Sequence, residues 1–414
     1  MREGWREVVV EDVAQVIGGG TPKSNVEGYW GGEIPWLTPK DLSERPSRYT
    51  TRGTRNITQA GLDRSGARLL PKGTVLLTSR APVGYVSVAA NAIATNQGFK
   101  SLILDGTQLP EFWYYLLGHS TDYLRANSGG STFQELSGSA LKKLRFTVPP
   151  LKEQRRIVDL MGALDDTIAA AQRTLEQTSS VLDHFPASLV ARGRAEGWNE
   201  EPLGEVLGGK QAIRTGPFGS QLHKSDYVQD GPVAVVMPTD MKNGRVLRNT
   251  AAKINQEDAD RLARHITREG DILWSRRGDV TRFAVIDAES AGSLCGTGCF
   301  LLRPTDPADT EWLEVLLSAP ETGQWLIDRA VGATMANLNR SILGAIPVLV
   351  PPRDERTRLV ASWMGLRTME QQLLEVTDHL QSLRSNVLTA LLSGEHEIPE
   401  SYDAAMGELV ETAV

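Results

Sequence analysis

The chain is written twice, and that repetition limits its possible folds more than any other feature. Val148–Val158 (VPPLKEQRRIV) aligns without a gap on Val350–Val360 (VPPRDERTRLV), an offset of 202 that also places Ser131–Leu136 on Ala333–Leu338. Ile34–Leu42 matches Val233–Met241 at 199, Leu69–Arg80 matches Ile266–Arg277 at 197, and Trp5 and Trp198 stand 193 apart. Offsets that drift between 193 and 202 are what a duplicated unit with small loop insertions produces. The fold must be built from two similar halves.

Each half has a globular and a rod-like part. Residues 1–150 and 196–350 carry short β-rich runs such as Gly73–Thr78 and Val83–Ala89, broken by Gly and Pro. A helical pattern follows late in each, Glu111–Leu117 and Glu311–Leu317. These regions read as α+β domains. Residues 151–195 and 351–394 read as long helices. In the first, Ile157, Met161, Leu164, Ile168, Ala171, Leu175, Thr178, Leu182, Phe185 and Leu189 recur at alternating steps of four and three, a heptad seam. Pro186 has no backbone N–H to donate and is predicted to kink or end that helix. In the second, the apolar series is Leu359, Trp363, Leu366, Met369, Leu373, Val376, Leu380, Leu383, Val387 and Leu391. Its one interrupting three-residue step predicts a stammer. The two seams are each other's obvious partners. The predicted architecture is two similar domains separated by two long, antiparallel coiled-coil helices, with an internal pseudo-twofold repeat. Helices docked separately on their own domains are the alternative. Residues 395–414 hold six acids and no base and are predicted to be disordered.

No run of eighteen apolar residues predicts a membrane span, and the first twelve residues lack the apolar block of a secretory signal. Cys295 and Cys299, without two further ligands nearby, read as small buried strand residues rather than a zinc site. The expected compartment is the cytoplasm. The formal net charge of −7 argues against nucleic acid until its distribution is considered. Residues 1–150 carry 17 basic and 13 acidic side chains, whereas 196–350 carry 16 and 21. Lys40, Arg45, Arg48, Arg52, Arg55, Arg64, Arg68, Lys72 and Arg80 share their stretch with three acids, which suits phosphate neutralisation. Charge alone leaves a plain solvated surface equally open.

Catalytic motifs do not occur: there is no phosphate-binding Gly-rich loop, His-Glu-x-x-His, Cys-x-x-Cys or Gly-x-Ser-x-Gly. The Pro-Pro pairs at 149–150 and 351–352 open helices rather than form an adenine-methyltransferase motif. The chain is accordingly expected to be non-catalytic, with no metal or cofactor of its own. What recurs instead are polar, Gly-containing segments between apolar strands. Thr21, Lys23 and Ser24 pair with the segment holding Arg214, Ser220, Gln221 and Lys224; Lys40 pairs with Thr239 and Lys242. Ser79 and Arg80 pair with Arg276 and Arg277, and Asn96 and Gln97 with the Gly296–Gly298 turn. The segment holding Thr132 and Gln134 pairs with the one holding Thr334 and Asn337. Such side chains read base edges or hold phosphates. Arg80 and Arg277, each just after a strand, are the preferred pair. Singly these are ordinary loop residues. As a recurring set they point to DNA.

The halves resemble the specificity subunits of type I restriction–modification systems. The resemblance rests on Trp5–Pro22 followed by Ile34–Leu42, on Asn96–Phe99, on Gly130–Leu136, and on Val148–Leu151 running into Glu153–Ile157. It covers residues 1–394, with departures at Glu355-Arg356, where the first copy has Glu153-Gln154, and before Gly298, which lacks the Asn-Gln. The resemblance implies that each domain reads one half of a bipartite, asymmetric target in double-stranded DNA, with the helices setting the gap. It also implies docking of two methyltransferase subunits and, through them, two restriction–translocase subunits. S-adenosylmethionine, ATP and Mg would then sit on those partners. Two other readings stay open at this point: a duplicated coiled-coil adaptor binding protein or carbohydrate, and an enzyme with its site between the domains.

Overall fold

A computed structural model of the chain describes residues 2–130, 134–330, 337–399 and 401–403. The chain divides into two units, Met1–Ala171 with Val376–Val414, and Gln172–Glu375. The divisions fall inside the long helices, Leu151–Glu196 and Arg353–Leu392, so each unit holds one globular domain and one end of both helices.

In the first unit a five-stranded sheet runs in the order Ala14–Gly18, Lys100–Leu104, Val75–Ser79, Val83–Ala89, Tyr49–Thr50. A three-stranded sheet places Trp30–Leu37 between Arg55–Ile57, antiparallel, and Ala94–Thr95, parallel. Val75–Ser79 is buried along its whole length, which is why its sequence does not alternate. Gly73, at φ +85°, makes the turn into it. The second unit repeats the plan. Ile213–Thr215, Cys299–Leu302, Ile272–Ser275 and Phe283–Val285 form one sheet. Val233–Val236 lies antiparallel to Ala252–Ile254 and parallel to Leu294–Cys295 in the other. In each unit a ribbon joins the start of the domain to the strand before the helix: Arg6–Val9 with Arg145–Val148, and Asn199–Pro202 with Pro347–Val350. Cys295 and Cys299 are free and buried among these strands. Burial pushes the Cys299 thiol up to about 12.

The residues after each Pro-Pro tie the helix start down. Gln154 is fully buried; its amide accepts from the Leu109 N–H (3.0 Å) and donates to Gln108 (2.9 Å) and the Pro149 carbonyl (3.0 Å). Glu153 accepts from Arg2 (2.8 Å) and the Trp5 indole (3.1 Å). The second copy carries Arg356 in place of Gln154, and its guanidinium makes the same tie, to the Pro351 carbonyl (3.1 Å) and Asp309 (2.7 Å). The departure in sequence keeps the role.

The helices pair antiparallel within each unit. In the first, Asp165 meets Arg384. In the second, the Ser179 hydroxyl donates to Glu370 (2.5 Å), Phe185 and Trp363 lie 5.7 Å apart between ring centroids, and Arg192 reaches Glu355 (2.9 Å). Every predicted seam position on the first helix is buried or half-buried. That helix also continues through Pro186 to Glu196. Leu182, Phe185 and Leu189 pack with Leu359 and Trp363 in the core of the second unit, and that burial outweighs one missing hydrogen bond.

The predicted stammer is absent. Met369, Val376 and Leu383 are 44%, 48% and 50% exposed, while Glu370, Thr377 and Arg384 turn inward. The inward series is 359, 363, 366, 370, 373, 377, 380, 384, 387, 391, which is the first helix's seam displaced by 202 at every position. Hydropathy misplaced three positions because Glu370 and Arg384 find partners across the seam in Ser179 and Asp165, and a partnered polar group can be buried.

The tail expected to be disordered is docked over its first residues. Ile398 is buried, and Asp403 accepts from Arg156 at 2.7 and 2.8 Å. Those hydrogen bonds from the nearly buried Arg156 hold the Asp403 carboxyl at about 2. Residues 404–414 lie outside the described ones. Among the described residues no helix is long and apolar enough to cross a membrane.

Candidate nucleic-acid interface

In the first unit the recurring polar segments converge through backbone hydrogen bonds. Asn96 N–H donates to the Leu37 carbonyl (2.8 Å), Ser79 N–H to Gly98 (2.7 Å), and Leu136 N–H to Ser79 (2.9 Å). The second unit makes the same three bonds at the equivalent places: Gly296 to Val236 (2.9 Å), Arg276 to Gly298 (2.8 Å) and Leu338 to Arg276 (2.9 Å). Arg80 bridges to Glu135 and Arg277 to Asn337 in the same antiparallel fashion. Loops far apart in sequence are thus held side by side, twice, by one scheme.

The side chains divide by exposure. Thr21, Lys23, Ser24, Lys40, Gln97 and Gln134 are exposed in the first unit, as are Arg214, Ser220, Lys224, Thr239, Arg277 and Asn337 in the second. The Thr21 hydroxyl donates to Gln97, joining two of the loops. Asn96, Arg80, Gln221 and Arg276 are half-buried. Asn96 accepts from the Gly98 N–H (2.8 Å), and Gln221 from the Phe218 N–H (3.2 Å), so both shape their turns. Arg80 has a carboxylate neighbour, Glu135 at 3.5 Å, which Lys100 shares at 3.6 Å.

One assignment needs correction, and others differ in setting. Ser79 has no exposed surface and donates to the Gly98 carbonyl (3.1 Å); it is a strand residue in the sheet interior, out of reach of DNA. Lys242 is exposed but belongs to a hairpin whose next residue, Asn243, accepts from Arg367 of the long helix (3.0 Å). It therefore lies at the domain–helix joint. Arg48, counted in the basic stretch, is at a joint too, as described below. Thr132 and Thr334 lie outside the described residues.

Asp41 fixes the loop that carries Lys40. It accepts from the Thr38 N–H and hydroxyl (both 2.7 Å) and from those of Thr54 (2.7 and 2.6 Å). Burial works against this carboxylate, but the four hydrogen bonds outweigh it and hold its pKa below the ordinary value. A depressed carboxylate pKa stabilises the fold above the unfolded value near ~3.9, and that stability is lost as pH falls through the folded value. Asp41→Ala is expected to cost about 2 kcal/mol at neutral pH, and less at pH 3. Urea titration at the two pH values checks this; an equal loss at both would contradict it.

Each domain is clamped to its helix, with opposite polarity. In the first unit Asp165 of the helix accepts from the Tyr115 hydroxyl (2.7 Å) and from Arg384, and Arg48 donates to the Tyr115 oxygen (3.0 Å). Burial, reinforced by Asp165, pushes the Tyr115 pKa up, so the phenol stays a donor at neutral pH. Position 367 is 165 displaced by 202, and here the helix supplies the cation. Arg367 donates to Glu314, which also accepts from Arg245 (3.2 Å).

Three features do not follow from the polar repeats. Lys100 and Glu135 lie at the loops but do not recur in the second copy. Arg55 sits over the Trp30 ring at 3.5 Å, and the Trp30 indole donates to the Lys23 carbonyl (3.2 Å), an aromatic–cation step beside Lys23. Phe218 stands exposed on the first loop of the second unit, and its Gly-Pro-Phe-Gly setting was the available signal.

Residues 2–178 match the family described as type I restriction modification DNA specificity domain. The chain is 45% identical over 166 residues to the type I restriction enzyme MjaIX specificity subunit of Methanocaldococcus jannaschii, a match covering 40% of this chain and 38% of that protein. This chain thus spans well under half the length of that relative. The similarity to the type I restriction enzyme EcoBI specificity subunit of Escherichia coli is weaker but longer, 19% identity covering 95% of this chain and 87% of that one. Among solved structures, a chain of a type I R-M system superposes with a TM-score of 0.60 at 18% identity, covering 95% of this chain and 98% of that chain. Residues 2–178 therefore match the type I restriction modification DNA specificity domain family, and the chain as a whole shares the fold of that solved type I R-M chain.

Proposed function

We propose that this chain is the sequence-specific DNA-binding subunit of a type I restriction–modification complex, each unit reading one half of a bipartite, asymmetric target. The observation that carries this reading is the repeated loop scheme: one set of backbone bonds presents two different sets of Arg, Lys, Asn, Gln, Ser and Thr side chains. A shared scaffold with divergent tips suits two half-sites of unlike sequence. The chain itself performs no catalysis in this reading and works in the cytoplasm. It docks two methyltransferase subunits and, through them, two restriction–translocase subunits, on which S-adenosylmethionine, ATP and Mg reside. The exposed Met369, Val376 and Leu383 support partner docking, since apolar side chains at seven-residue spacing outside a filled seam suit added helices. Exchange of residues 1–150 for the corresponding domain of another specificity subunit tests the reading. Methylated-base mapping in cells with the partner subunits is expected to show one half of the target changed and the other kept. A change in both halves would contradict two independent readers.

A further inference from the structure

Phe218 is 56% exposed, the highest value among the described large apolar side chains. A lone exposed apolar residue is ordinary; the setting of this one is not. Its turn is pinned to the domain. The Gly216 N–H donates to the Cys299 carbonyl (2.9 Å), Pro217 is buried, and the Phe218 carbonyl accepts from Gln221 (2.8 Å) and from Leu222 (3.2 Å), itself buried. Cations lie around the turn, Arg261 among them already paired with Asp226 (3.2 Å) and Asp258 (2.5 Å). Arg261 donates to the Gln221 carbonyl (2.5 Å), Arg264 to the Gln221 side chain (3.3 Å), and Arg214 and Lys224 are exposed on either side of it in the chain. This cationic rim stands in a domain with an excess of acids, 16 basic against 21 acidic residues. An exposed aromatic ring carried on a pinned turn beside cations matches a duplex, whose bases offer apolar faces and edges between phosphates.

We propose that Phe218 is an apolar base contact of the second unit, its ring lying against the base stack of that half-site while Arg214, Lys224 and Arg264 hold neighbouring phosphates. This rests on the DNA-reading function proposed above. The corresponding loop of the first unit carries Thr21-Pro22, so the contact belongs to one half-site only.

The test uses the full chain with its methyltransferase subunits and a duplex bearing the mapped target, with 2-aminopurine placed in turn at each purine of the second half-site. Phe218→Ala is expected to weaken specific binding by roughly tenfold. It should leave the salt dependence unchanged, because no phosphate contact is removed, and should abolish a fluorescence change seen with the parent protein. Phe218→Leu is expected to keep most of the affinity. Arg264→Ala is expected instead to reduce the salt slope by roughly one. Equal affinity and equal fluorescence for Phe218→Ala would overturn the proposal. So would a loss shared equally with non-target DNA. If the parent complex itself did not prefer its target, the proposed function would fall rather than the assignment of Phe218.

Discussion

Lengthening both long helices by four residues, after Ala171 and after Glu375, is expected to widen the preferred gap between half-sites by about one or two base pairs. Four residues add about 6 Å of rise, and DNA advances about 3.4 Å per base pair. Four residues also come close to a whole turn, so the inward face is kept with only local unwinding. The insertion points are where the units divide, which leaves the packing of each unit on its own helix ends untouched. The bases within each half-site should stay the same, since no loop has been altered. An insertion in one helix alone is expected to abolish specific binding rather than shift the gap. Both helices run from one unit into the other, and a one-sided insertion shifts one seam against the other, so that facing pairs such as Ser179 and Glu370, or Asp165 and Arg384, no longer match. Methylated-base mapping reads both results. A doubly lengthened variant that kept the original gap would show that something other than these helices sets it.

Removing the carboxylate of the second clamp should be the most damaging single truncation at a domain–helix joint. Glu314 has a side chain only 6% exposed and receives both Arg245 and Arg367. Glu314→Ala would leave two guanidinium groups facing each other without their shared carboxylate, a change expected to cost about 3 kcal/mol. For a unit of this size that lowers the melting temperature by roughly 10 °C. Asp165→Ala is expected to cost less, about 1–3 kcal/mol, because its side chain is 24% exposed and water can solvate the groups left behind. Combining Glu314→Ala with Arg367→Ala should recover part of the loss, since one of the stranded charges goes with it. Calorimetry of the three variants beside their parent settles the point; a Glu314→Ala protein melting within a degree of its parent would show that the cluster contributes little.

How far the candidate site was legible from the sequence follows from what recurrence can and cannot reveal. The duplication picked out loops that the fold brings side by side, because a scaffold repeated at a near-constant offset leaves matching punctuation in both copies. Matching position does not establish exposure, however. Ser79 aligns with Arg276 and is the kind of residue that contacts DNA, yet it is the last residue of a strand buried on both faces. Arg48 sits in a run of bases and still spends its charge on Tyr115. Phe218 is not legible from a pattern of hydrogen-bonding side chains, because it makes its contact through an apolar ring.

The sequence by itself determined the twofold plan, the α+β character of the domains, the presence of two long helices and the register of the first seam. Each of these follows from periodic burial or from repetition, which a linear pattern records directly. Only the tertiary structure decided which residues of the second helix face inward, that Pro186 lies within a continuous helix, and that Asp403 caps Arg156. In all three cases the outcome depends on a partner distant in sequence: Ser179 for Glu370, the Leu359–Trp363 core for Pro186, and the C-terminal segment for Arg156. A polar or helix-breaking residue is placed by what it meets across the fold, and that meeting is invisible until the chain has closed on itself.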